Sequence, residues 1–167
     1  MLFRSPYAIQ RDEEIKNILH AKGISFHTYK DQVIFEKHEV LKDDGKPYTV
    51  FTPYSRKWRS KLTHSSFASY DHKKLFDQFY QQSPRSIISL EEMGFVSSGI
   101  PFPVKEVADS LIVNYGQRRD IPSLPGTSRL SVHLRFGTIS VRALARRSSD
   151  LSETFLNELI WRDFYHM

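Results

Sequence analysis

Asp150-Leu151-Ser152-Glu153-Thr154-Phe155-Leu156-Asn157-Glu158-Leu159-Ile160-Trp161-Arg162-Asp163-Phe164-Tyr165-His166 opens with a capping-box arrangement and continues as a helix that is apolar or aromatic on most sides. Such a helix has to be covered by other elements. Upstream, Val104, Val107, Ala108, Leu111, Ile112 and Tyr115 recur at helical spacing and predict an amphipathic helix. Thr127-Ser128-Arg129-Leu130-Ser131 reads as the opening of another short helix, and Ser140 as the cap of a third over Val141 to Arg147. The carboxyl third is therefore helical. Because the last helix reaches Met167 with no carboxyl cap, further helices are expected to cover it.

The amino-terminal half has a different pattern. Asp12 to Ala21 carries Ile15, Ile18 and Leu19 behind an acidic first turn, with Gly23 just past the end, which predicts a short amphipathic helix. Ile24 to Tyr29 then alternates and Gln32 to Phe35 is a brief apolar run, so two strands are predicted. Helix, glycine turn and strand suggest the end of an α/β layer. A parallel sheet needs about 30 residues per βαβ unit, so the rest of that layer is expected upstream. After the Asp44-Gly45 turn, Tyr48-Thr49-Val50-Phe51-Thr52-Pro53-Tyr54 leads into a helix with Pro53 in its first turn and Trp58 on its body. From Thr63 to about Gly99 periodicity fades, which predicts a long connector between two domains.

Composition narrows the function classes. The chain has 167 residues, 40% hydrophobic and 13% aromatic, enough to bury a core. It has no cysteine, so disulfides, thiolate metal sites and cysteine nucleophiles are excluded. Met1-Leu2-Phe3-Arg4-Ser5, followed by proline and the charged run Arg11 to Glu14, does not resemble a signal peptide, and no apolar stretch approaches the roughly 20 residues of a membrane span. A soluble, cytoplasmic protein without membrane contact is expected. The seven histidines form no HExxH or HxH, and the seven glycines build neither GxGxxG nor GxxxxGK, so no metal site and no classical nucleotide loop are expected. The net charge of +5 suggests a polyanionic partner. Leu111 to Ser149 concentrates it, with seven arginines against the single acid Asp120. Arginine suits planar, bidentate contact with phosphate.

Two clusters could carry chemistry. Gly126 to Ser131 places hydroxyls, a glycine and an arginine at a helix start, where free N–H groups favour an anion, although an ordinary Thr/Ser cap looks the same. Tyr115, Arg118 and Arg119 lie within reach of the same anion, or Arg119 simply pairs with Asp120. On the last helix Glu158, Trp161 and Tyr165 share one face. An indole can stack on a pyrimidine while a carboxylate accepts from its imide edge; the plainer alternative is a packed helix with Glu158 paired to Arg162.

Together Gly45 to Tyr54 with Trp58, Tyr115 to Asp120, Gly126 to Ser131, Phe136-Gly137-Thr138-Ile139-Ser140 and Phe155 to Tyr165 resemble, in order, the class I DNA photolyase/cryptochrome family. The resemblance implies the end of a Rossmann-like α/β antenna domain over residues 1–42, an interdomain linker over 43–100, and the first helices of the all-α FAD-binding domain over 101–167. It implies FAD contacts at Tyr115, Thr127, Ser128, Leu130, Ser131 and Phe155, a pyrimidine-dimer pocket lined by Glu158 and Trp161, and Arg119 beside DNA phosphates. The implied activity of the whole enzyme is deoxyribodipyrimidine photo-lyase, splitting cyclobutane dimers in DNA by electron transfer from light-excited reduced FAD. This chain, as an internal segment, is expected to be inactive alone. Tyr7-Ala8 replaces an Asn-Glu pair of some folate-antenna members, so the antenna pigment is left open. Alternatives are a cryptochrome-like blue-light photoreceptor and a basic single-strand DNA-binding fragment.

Overall fold

The computed structural model describes residues 6–36, 38–69 and 71–167. Met1-Leu2-Phe3-Arg4-Ser5, read above against a signal peptide, lies outside the described residues. By internal contacts the chain divides into two units, one running to Ala68 and resuming at Val104–Met167, the other Ser69–Pro103.

The larger unit is built on helices α1 (Pro6–His20), α2 (Phe51–Ser60), α3 (Asp109–Val113), α4 (Tyr115–Arg118), α5 (Ser131–Phe136), α6 (Val141–Leu151) and α7 (Glu153–Phe164). Helices α6 and α7 meet at one residue. Ser152, in extended conformation, closes α6 with its N–H on the Ser148 carbonyl (2.9 Å) and opens α7 by accepting from the Phe155 N–H (3.4 Å). Each helix then buries a stripe: Val141, Leu144, Ala145 and Ser148 on α6; Phe155, Leu156, Leu159, Ile160 and Asp163 on α7. Helix α2 packs on α7 through Tyr54 and Trp58, four residues apart and both fully buried. Pro53 stands in the first turn of α2, where its missing N–H has no helical acceptor to lose.

The core needs one buried charge. Asp163 accepts from Trp58 Nε1 (3.0 Å) and from the backbone N–H groups of Ile34 and Phe35 (3.2 Å each). Neighbouring Arg162 donates to the carbonyls of Gln32 and Leu134. Consequently Val33 to Phe35 lie buried against the helices, and Phe35 meets Trp58 edge-on at 5.4 Å.

This arrangement corrects the predicted strands. No strand occurs among the described residues, and neither 24–29 nor 32–35 pairs with a neighbour. The apolar run at Val33 to Phe35 is a core segment whose N–H groups bond to a side chain in place of a sheet ladder. Three helix predictions also change. The amino-terminal helix starts at Pro6 rather than Asp12 and buries none of its residues. The stripe from Val104 is helical only from Asp109; Val107 and Ile112 are buried, but Val104 is exposed. Thr127 to Leu130 precede α5, and Arg129 adopts a left-handed φ of 53° that no helix start requires.

The smaller unit holds a 3₁₀ helix, His72–Gln78, and a turn in which the Ser89 N–H donates to Glu92 and the Glu92 N–H to the Ser89 hydroxyl. No described helix is long and apolar enough to cross a membrane.

Replacing Asp163 with Ala leaves three buried donors unpaired, each costing about 1–3 kcal/mol. The expected loss is on the order of 3–5 kcal/mol by urea denaturation, with a smaller loss for Asp163→Asn, which keeps one acceptor. Burial pushes the Asp163 carboxyl from 3.8 up to about 6, outweighing the N–H donors. The fold thus holds this proton more tightly than the unfolded chain does, a contribution fully present below about pH 4 and lost as pH rises through about 6. Urea midpoints compared across that range should show this decline in the wild type and lack it in Asp163→Asn.

Candidate functional site

A cavity of about 360 Å³ opens between α5, α6 and α7. Its wall combines apolar residues, Leu130, Leu134, Leu144, Phe155 and Leu159, with polar ones, among them Tyr115, Ser128, Ser131, Glu158 and Arg162. Pockets of small-molecule sites span roughly 300–1,000 Å³ and combine these features.

Local backbone explains how the polar residues are held. Gly126 lies so close to α4 that a Cβ would stand 2.4 Å from the Arg118 carbonyl oxygen, a contact with backbone that cannot swing away. Only glycine lets the chain pass there, and it delivers Ser128 to Ser131 to the cavity. Tyr115, at the start of α4, packs edge-on against Phe155 with ring centres 4.9 Å apart. Burial and the Glu158 carboxylate raise its phenol, so the group stays protonated and can donate.

Glu158 is held from outside α7. Arg119 Nη1 donates to it, and Arg119 also reaches Asp120 (3.5 Å) and lies 5.7 Å from the Tyr115 ring. The pairing of Glu158 with Arg162 does not form; Arg162 is engaged with backbone carbonyls. Trp161 stands apart from the cavity. Its indole stacks on Phe51 with ring centres 3.6 Å apart and planes 5° from parallel, and on Tyr165 at 5.5 Å.

Of the predicted site residues, Tyr115, Ser128, Leu130, Ser131, Phe155 and Glu158 line the one cavity. Arg119 adjoins it through Glu158, whereas Thr127 is exposed and Trp161 belongs to the aromatic cluster; neither lines it. Gln32, Leu134, Arg135, Leu144, Leu159, Arg162 and His166 were missed. Arg162, one turn beyond Glu158, was accessible from helical spacing; Gln32 was hidden in a segment taken as a strand. Gln32 Oε1 and His166 Nδ1 are buried without a hydrogen-bond partner. Such atoms are rare in finished structures.

These residues suit a flavin nucleotide in part: hydroxyls, a phenol and a guanidinium for phosphate and sugar oxygens, and an apolar wall for a ring. The described residues contain no His/Asp/Glu group able to hold a metal.

The helical arrangement and this cavity define a photolyase-type fold. It matches a bacterial class III photolyase from Agrobacterium tumefaciens with a TM-score of 0.55 at 21% identity, over 96% of this chain and 38% of that one. A profile described as DNA photolyase matches residues 4–74. The deoxyribodipyrimidine photo-lyase of Alkalihalophilus pseudofirmus is 32% identical over 94% of this chain and 36% of its own length, and that of Halobacterium salinarum 29% over 96% and 38%. Over nearly its whole length the chain is similar to DNA photolyases. It spans a little over a third of the length of these relatives.

Gly126→Ala should cost about 1–3 kcal/mol, the usual penalty of forced overpacking, read as a lower urea midpoint with an unchanged slope.

Proposed function

We propose that this chain is a segment of a light-driven DNA repair flavoprotein acting on cyclobutane pyrimidine dimers. One observation carries the reading: hydroxyls of the Gly126 to Ser131 stretch and the α7 carboxylate Glu158 line the same cavity. In this reading Ser128 and Ser131 donate to phosphate oxygens of FAD, Tyr115 adds a further donor, and Leu130 and Phe155 exclude water beside the ring. FAD, when bound, reduced and excited by light, supplies the electron that opens the cyclobutane ring. Glu158 accepts from the imide edge of a flipped pyrimidine, and Trp161, backed by Phe51 in a fixed plane, offers a rigid surface to the dimer. Thr127 adds a hydroxyl at the mouth of the flavin site, and Arg119 a contact to DNA phosphate.

The arginines of Leu111 to Ser149 supply the attraction to DNA. The segment up to residue 42 closes an α/β antenna domain, residues 43–100 form the linker, and 101–167 open the FAD-binding domain. The apolar side chains that α1 leaves exposed on one side, Tyr7, Ile15 and Ile18, support the first assignment, since a helix lying on a sheet needs such a face.

Because a cavity of about 360 Å³ is small for a dinucleotide, FAD titrated into this chain should bind only in the micromolar range or weaker. A yellow protein retaining stoichiometric flavin through gel filtration contradicts that expectation. An oligonucleotide carrying one thymine dimer should bind more tightly than its undamaged counterpart, and Glu158→Ala should remove the difference. Equal affinity for both in the wild type reduces the chain to a basic single-strand binder.

A further inference from the structure

Glu158 lines the cavity, yet its carboxylate is held by Arg119, a residue at the end of α4 that is itself one-third exposed. No other cation meets Glu158 among the described residues, since Arg162 on the same helix is engaged with the carbonyls of Gln32 and Leu134. Arg119 also touches Asp120, whose side chain is 83% exposed, so the guanidinium sits at the border between cavity and solvent. Half-exposed ion pairs are weak, shifting an equilibrium about fivefold at most. Glu158 engages only Nη1 of Arg119, whereas a phosphodiester can take the arginine fork through two parallel hydrogen bonds. An arriving phosphate can therefore outbid the carboxylate. Once Arg119 leaves, Glu158 lines the cavity as an uncompensated acceptor, which favours a ligand bringing an N–H donor.

We propose that Arg119 is a positioning residue that locks Glu158 in the nucleic-acid-free protein, and that a phosphate of the DNA backbone opens the lock, freeing the carboxylate for the base. The inference rests on the DNA-facing reading of this site given above. It makes backbone binding outside the cavity and base binding inside it mutually reinforcing, each raising the affinity of the other by the same factor.

The test measures binding of an undamaged single-stranded oligonucleotide to the chain and to Glu158→Gln, Arg119→Gln and the double variant, across a salt series. Each protein is first checked for cooperative unfolding; Arg119→Met, which removes the charge and keeps an apolar stem, replaces Arg119→Gln if the latter does not fold. Glu158→Gln should free Arg119 in advance and raise affinity about two- to fivefold, with the slope of log K on log salt steeper by up to about 0.7, because no released carboxylate then takes up a cation as the phosphate contact forms. With Arg119 replaced, Glu158→Gln should bring neither change. Equal gains in both backgrounds reflect only the lost negative charge and overturn the lock, as does no gain in either. An oligonucleotide that binds none of the four proteins overturns the DNA-facing reading and the lock together.

Discussion

A single buried carboxylate organises the larger unit. Asp163 draws the Trp58 indole N–H and two backbone N–H groups to one point, so that α2, α7 and the Val33 to Phe35 segment meet. Aromatic packing of Phe51 and Tyr54 on α7 and the Arg162 bond to the Gln32 carbonyl hold the same three pieces from either side. Helix α2 is short and polar on its outer side; the Val33 to Phe35 segment has no secondary structure of its own. Without an acceptor between them the donors would have to face water, and the apolar residues around them, Phe35, Tyr54 and Ile160, would lose their cover. The burial that raises the Asp163 carboxyl shows what that organisation costs.

The legible parts of the sequence were those written in local chemistry. Ser140 and Ser152 cap α6 and α7 as their hydroxyls and spacing indicate, and Pro53 falls in the first turn of α2. The strands failed for a reason that no local pattern reveals. A short apolar run satisfies its N–H groups equally well with a ladder or with a carboxylate 129 residues away, and only the tertiary structure decides which. The helix predicted from Val104 failed similarly, because apolar spacing alone neither supplies a start signal nor guarantees a partner for the first turn.

At the cavity, spacing along α7 was informative and direction was not. Glu158 and Trp161 are three residues apart on one helix, yet one lines the cavity and the other stacks on Phe51. Gly126 to Ser131 was recognisable as a place where backbone and hydroxyls converge, although its backbone is not the helical turn expected. Arg129, in left-handed conformation, instead redirects the chain between Ser128 and Ser131. Gln32 could not have been found without the fold, since its presence follows from the same interactions that hold Val33 to Phe35.

The corner at Ser152 restricts how this chain can vary in length. With a single residue serving two helices, no slack separates them, so one inserted or deleted position there would turn α7 by about 100° about its own axis. That rotation would carry Glu158 out of the cavity and Asp163 out of the core in the same movement. Chain length at this joint is therefore tied at once to stability and to the chemistry of the pocket.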